Sequence, residues 1–94
     1  MFFKRICAID LGTDTVKICD KHEKLTICEK NMLAIRNKTL IIATGQRAFE
    51  IYEKAPACVY VGCPMTRGAI ADSKNLEIVL TKMLKRFLES LILL

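Results

Sequence analysis

Asp10-Leu11-Gly12-Thr13 is the stretch of this chain whose residue types and spacing best suit chemistry. It closes an apolar run, Arg5-Ile6-Cys7-Ala8-Ile9-Asp10, and precedes an alternating run from Thr15 to Cys19, so the backbone must reverse between the two. Gly12 can take a positive φ and lets the backbone approach a ligand closely. The N–H groups of residues 12 to 14 can then aim at phosphate oxygens, as backbone anion nests do. Thr13 adds a hydroxyl donor, and Lys17 on the returning strand supplies a point charge for phosphate. Asp10 suits magnesium held through its water shell, because Mg²⁺ dehydrates reluctantly and takes only one or two protein carboxylates. An ordinary hairpin uses the same residue types. The stretch is neither a Walker loop nor a dinucleotide fingerprint, since it lacks Gly-Lys-Ser/Thr and Gly-x-Gly-x-x-Gly.

The remaining reactive residue types read as bland. Cys7, Cys19, Cys28, Cys58 and Cys63 are odd in number and form no Cys-x-x-Cys pair. They are expected to be reduced thiols, small fillers of a core. His22 lies between Lys21 and Glu23 in a polar turn and is expected to be solvated, with no metal site.

The elements that must position the loop follow from the hydrophobic pattern. The first run is continuous rather than alternating, which predicts a central strand covered on both faces. Thr15 to Cys19 alternates, Asp20 to Lys24 is polar, and Leu25 to Cys28 is a third strand, so a β-meander is expected. Met32 to Ile35 and Thr39 to Ala43 are two more short strands around the hairpin candidate Arg36-Asn37-Lys38. Residues 46–54 read as a short helix, with Ala48, Ile51 and Tyr52 at i, i+3, i+4 and Pro56 ending it. Cys58 to Val61 is extended, and residues 62–72 form a loop. From about 73 to 91 a long helix is predicted. Leu76, Val79, Leu80, Met83, Leu84, Phe87, Leu88 and Leu91 line one face, and Asp72 or Ser73 is the N-cap.

Composition bounds these readings. Ninety-four residues of 10.6 kDa allow one small domain, and 52% apolar with 27% charged residues excludes intrinsic disorder. The net charge of +5 is scattered along the chain with four Phe, two Tyr and no Trp, so no nucleic-acid partner is expected. No apolar stretch approaches the ~20 residues of a membrane span. The N-terminus lacks the apolar core of a signal peptide, which suggests the cytoplasm. Phe2 and Phe3 beside Lys4 and Arg5 carry two readings, an anchor in a membrane interface or the edge of the first strand. The end, Leu91-Ile92-Leu93-Leu94, is expected to enter a sheet or groove, or to continue into further sequence.

Three segments together resemble a known family. Ala8-Ile9-Asp10-Leu11-Gly12-Thr13 with its meander resembles the first phosphate loop of the actin superfamily, which includes sugar kinases and the heat-shock chaperone ATPase. Thr44-Gly45-Gln46-Arg47-Ala48 is similar to that family's strand-to-helix x-G-x-x-A step. Pro64-Met65-Thr66-Arg67-Gly68-Ala69-Ile70-Ala71-Asp72, leading into the long helix, resembles the P-x-x-x-G-x-I-x-D/N passage of actin and bacterial MreB. The order and spacing resemble the N-terminal subdomain of an MreB-like protein over nearly the whole chain.

The resemblance implies an α/β, ribonuclease H-like subdomain with a mixed sheet, an antiparallel meander, one short helix and one long C-terminal helix. It implies ATP and magnesium as cofactors, with Asp10, Gly12, Thr13 and Asp14 as the phosphate and magnesium loop and Asp10 holding Mg through water. Lys17 matches the lysine of actins, where MreB proteins commonly carry other residues, and the loop is one residue shorter than the usual MreB version. The implied activity is that of a filament-forming cytoskeletal ATPase at the inner face of the cell membrane, determining rod shape and guiding wall synthesis. A second phosphate loop, a water-positioning residue and an adenosine site are missing from these residues, so the chain alone is expected not to hydrolyse ATP. Partners would be copies of itself or a full-length actin-like protein. Two alternatives remain: a stand-alone module that binds or caps such a filament, and another actin-superfamily ATPase such as a cell-division protein or a kinase. The Pro64 to Asp72 passage is expected to be structural, with Gly68 supplying a turn, or to make subunit contacts.

Overall fold

The structure, a computed structural model, describes residues 7–20 and 24–92. Readings that fall on Phe2, Phe3, Arg5, His22, Leu93 and Leu94 lie outside these residues. The α/β class stands, with the meander and the two helices in the expected order; every strand pairing among the described residues is antiparallel.

Strands β1 (Cys7–Leu11), β2 (Thr15–Asp20) and β3 (Thr26–Lys30) form the meander in the order β1-β2-β3. Alternation in β2 sets its orientation, since Val16 and Ile18 are wholly buried while Lys17 points to solvent. The register aligns Asp10, Lys17 and Cys28 in one row across the three strands, and Ile9, Ile18 and Ile27 in the next. Directly opposite residues share a face, so the first row lies on the outer face of the sheet.

A second sheet joins β4 (Leu33–Arg36), β5 (Leu40–Thr44) and β6 (Val59–Gly62) in the order β5-β4-β6. Its β4–β5 hairpin turns on Asn37 and Lys38 at φ 53° and 65°, with the Thr39 N–H donating to the Arg36 carbonyl at 3.2 Å. Two consecutive positive φ values define the turn whose twist matches the flanking strands. Helix α1 (Gln46–Ile51), extended by a 3₁₀ turn over Tyr52–Lys54, covers this sheet through Ala48. A further pair of two-residue strands, β7 (Met65–Thr66) and β8 (Ala69–Ile70), makes a tight hairpin through Arg67 and Gly68 at φ 51° and 78°.

Helix α2 (Ser73–Ile92) starts where predicted, with Asp72 as its cap: the Asn75 N–H donates to Asp72 Oδ1 at 3.0 Å, and Asn75 Nδ2 to Oδ2 at 3.0 Å. Its buried stripe is Leu76, Val79, Met83, Phe87 and Leu91, of which the last four supply most of the main core, against Val16, Ile18 and Leu33. Each fully buried side chain of this size contributes roughly 1.5–3 kcal/mol by leaving water. No helix among the described residues is long and apolar enough to cross a membrane.

One side chain ties the parts together. Glu29 Oε1 accepts the first amide of α1 from Gln46 at 3.1 Å, and its other oxygen pairs with Arg86 of α2. The N-cap residue Gly45 offers no side chain, so β3 caps α1 from outside the helix.

Four expectations are corrected. Strand β1 is not central among the described residues; it pairs only with β2, and Cys7 through Asp10 are exposed. It lies at the sheet edge among the described residues, so even Ile9, in the row of the buried Ile18, is 43% exposed, and burial falls to β2 instead. The thiols do not fill a core, because Cys7, Cys28, Cys58 and Cys63 are exposed and Cys19 is half-buried, all free. Cys19 and Cys28 sit at outward register positions, opposite Ala8 and Lys17. Leu88 is 49% exposed, since the packed stripe of α2 is narrower than the apolar one. Residues 62–72 are not wholly loop, because β7 and β8 pair inside them.

Candidate functional site: the loop after the first strand

Two residues, Thr13 and Asp14, span the reversal, and the Gly12 N–H closes it by donating to the Thr15 carbonyl at 2.9 Å. The expectation that Gly12 uses a positive φ is therefore corrected, as only Gly45 and Gly68 do so among the described glycines. Glycine is needed at position 12 for close approach instead: a Cβ there would stand 2.9 Å from the Thr15 carbonyl oxygen. A backbone oxygen fixed in a hairpin cannot swing aside as a side-chain tip would. The Gly12 amide is also spent inside the turn, so it is not a donor for a ligand. No hydrogen bond engages the amides of Thr13 and Asp14 among the described residues.

Each predicted side chain has a definite place. Thr13 Oγ1 accepts the Gly68 N–H at 2.6 Å, which joins the loop to the tip of the β7–β8 hairpin and leaves the hydroxyl hydrogen free to donate. The Asp14 carboxylate is exposed and pairs with Lys30 Nζ at 3.1 Å. That ammonium also lies 4.9 Å from the centre of the Phe49 ring. Asp10 and Lys17 face each other across β1 and β2 on the outer face. The structure thus gathers Asp10, Gly12, Thr13, Asp14 and Lys17 around one turn.

Residues outside the sequence motif complete it. Asn31, wholly buried between β3 and β4, donates its backbone N–H to the Asp14 carbonyl at 2.9 Å and its Nδ2 to the Gly12 carbonyl at 2.9 Å. Lys30 and Asn31 carry no sequence signal, being two polar residues at the end of a short strand. Gly68 was legible as a turn residue, not as a donor to Thr13.

The donor set fits a polyphosphate with magnesium. Two unspent amides, a hydroxyl hydrogen and a cation beside one carboxylate match anionic oxygens and a hydrated divalent ion. No cluster of three or more metal-ligating side chains exists among the described residues, so Asp10 would share the ion with water and phosphate oxygens. A separate cleft of about 370 Å³ between β5 and α2, whose lining includes Arg47, Lys82 and Lys85, shares no residue with the loop.

Comparison with known proteins agrees with this architecture. The sequence model of the family described as MreB/Mbl protein matches residues 4–93. Among solved structures, MreB5 of Spiroplasma citri bound to ADP matches with a TM-score of 0.77 and 25% identity, over 93% of this chain and 27% of that one. MreB5 of Spiroplasma citri bound to AMPPNP matches with a TM-score of 0.72 and 25% identity, over 86% of this chain and 25% of that one. No curated protein matches the chain. An actin-like fold is thereby defined, and the chain belongs to the MreB/Mbl family. It spans about a quarter of the length of the solved structures it matches.

Proposed function

We propose that this chain is the N-terminal part of a nucleotide-binding, filament-forming protein of the MreB family, and that its β1–β2 loop takes the phosphates. The observation that carries the reading is the Gly12 reversal, tight enough to exclude a Cβ, with the Thr13 and Asp14 amides unspent at its tip. Nucleotides in the matched Spiroplasma citri structures support it. In this reading the Thr13 hydroxyl and the loop amides bind phosphate oxygens, Lys17 balances their charge, and Asp10 orients a hydrated magnesium. When bound, that ion would neutralise charge on the phosphates.

Phosphoryl transfer needs several groups converging on one centre, and the chain offers one loop. Phosphate release from magnesium-ATP by these 94 residues is expected to stay at background; release abolished by Asp10→Ala would refute this. Binding is the sharper test. Titrating the isotope-labelled chain with magnesium-ADP is expected to move the amides of Thr13, Asp14 and Thr15, with a Kd on the order of 1 mM. A folded spectrum that stays still at saturating nucleotide would overturn the reading.

The finer role, filaments at the inner membrane face that guide wall synthesis and rod shape, rests on family membership and on Phe2 and Phe3 as an interfacial pair. A second reading, a module that docks on a longer actin-like relative, draws support from the exposed β1, open on one edge among the described residues. Co-sedimentation with a full-length relative separates the two.

A further inference from the structure

We propose that Asn31 is the positioning residue of the β1–β2 loop: it draws two loop carbonyls inward, fixes the planes on either side of the turn and so aims the Thr13 amide outward, toward an anion. The inference rests on the nucleotide reading above and deepens it, because it names the group that makes the turn a cradle.

The geometry is a matter of peptide planes. In a trans peptide the carbonyl and the following N–H point in opposite directions. The plane joining Gly12 to Thr13 carries the Gly12 carbonyl, which Asn31 Nδ2 holds from behind at 2.9 Å. The Thr13 N–H must then face the other way. The plane joining Asp14 to Thr15 carries the Asp14 carbonyl, held by the Asn31 N–H at 2.9 Å, so the Thr15 N–H points back across the hairpin toward Gly12, the side to which the Thr15 carbonyl also points. Between them, the Gly12 N–H is fixed on the Thr15 carbonyl at 2.9 Å. One residue from the β3–β4 connection thus fixes two of the planes that span the turn.

The cost of this arrangement points the same way. Asn31 is 0% exposed, and its Oδ1 has no hydrogen-bond partner among the described residues. Buried amides that serve stability alone satisfy both ends, because an orphaned acceptor loses its hydration without return. Here the side chain is kept for its donor, and the donor is spent wholly on the loop. A leucine, branched in the same way though bulkier, would relieve the orphaned oxygen and release the Gly12 carbonyl.

Asn31→Leu and Asn31→Ala, both of which remove the Nδ2 donor without burying a charge, are compared with the unaltered chain. Three quantities are read: the melting temperature, amide exchange at Gly12 and Thr13 without nucleotide, and the Kd for magnesium-ADP. The expected result is a melting temperature within a few degrees of the parent, faster loop exchange, and a Kd raised about tenfold or more. A variant that melts normally but leaves exchange and Kd unchanged overturns the proposal. Unfolding of both variants also counts against it, since Asn31 would then serve the fold as a whole. If the unaltered chain is folded yet binds no magnesium-ADP, the nucleotide reading fails, and loop exchange alone decides whether Asn31 holds the turn.

Discussion

Lys38 stands at φ 65° in the β4–β5 turn, a conformation that costs a side chain about 1 kcal/mol and glycine almost nothing. Lys38→Gly should therefore stabilise the chain by about 0.5–1 kcal/mol, read as a rise of several degrees in Tm. Gly12→Ala works the opposite way: its Cβ would meet the Thr15 carbonyl at 2.9 Å and open the hairpin. A loss of about 1–3 kcal/mol is expected, together with loss of the magnesium-ADP shifts at Thr13 and Asp14. The sequence marked both glycine and turn correctly at position 12 but for the wrong reason, because φ preference and close approach leave the same letter. Asn31 was illegible. Its two bonds reach residues 12 and 14, and nothing local distinguishes it from any polar residue at a strand end.

At the level of elements, legibility followed length. Helix α2 repeats its apolar spacing over twenty residues, and cap chemistry narrowed its start to Asp72 or Ser73, between which the Asn75 bonds choose Asp72. Strands β7 and β8 are two residues each, too short for any alternation to show, and only their pairing across the Arg67–Gly68 turn reveals them. Strand β1 had the right extent and the wrong setting, since an apolar run announces a demand for cover without saying where the cover lies. Within α2, Phe87→Ala removes a fully buried ring and should cost about 3–5 kcal/mol, measurable by urea denaturation as a lower midpoint. Glu29→Ala removes both the outside cap of α1 and the partner of Arg86. Arg86 is about half exposed, so solvent screens that pair and the loss should be about 1–2 kcal/mol, mostly from the cap.

The whole molecule is unevenly held. Phe87, Met83, Ile18 and Leu33 fill the main core, whereas the second cluster is Met32 with three alanines, Ala34, Ala43 and Ala48. Alanines bury little surface, so the β5–α1 end should open at lower free energy than the β2–α2 core. Native-state amide exchange is expected to be fastest in α1 and β5 and slowest in β2 and α2; uniform protection would contradict the picture. Tyr52, Tyr60, Ile70 and Leu88 add exposed apolar surface, with Leu88 49% exposed.

The row Asp10, Lys17, Cys28 gives the experimenter a built-in reporter. Cys28 is an exposed free thiol one strand away from Lys17, on the sheet face opposite the core, so a fluorophore fixed there disturbs no packing. With the other cysteines changed to serine, its emission would follow charge arriving beside Lys17, in a chain that has no tryptophan to confuse the signal.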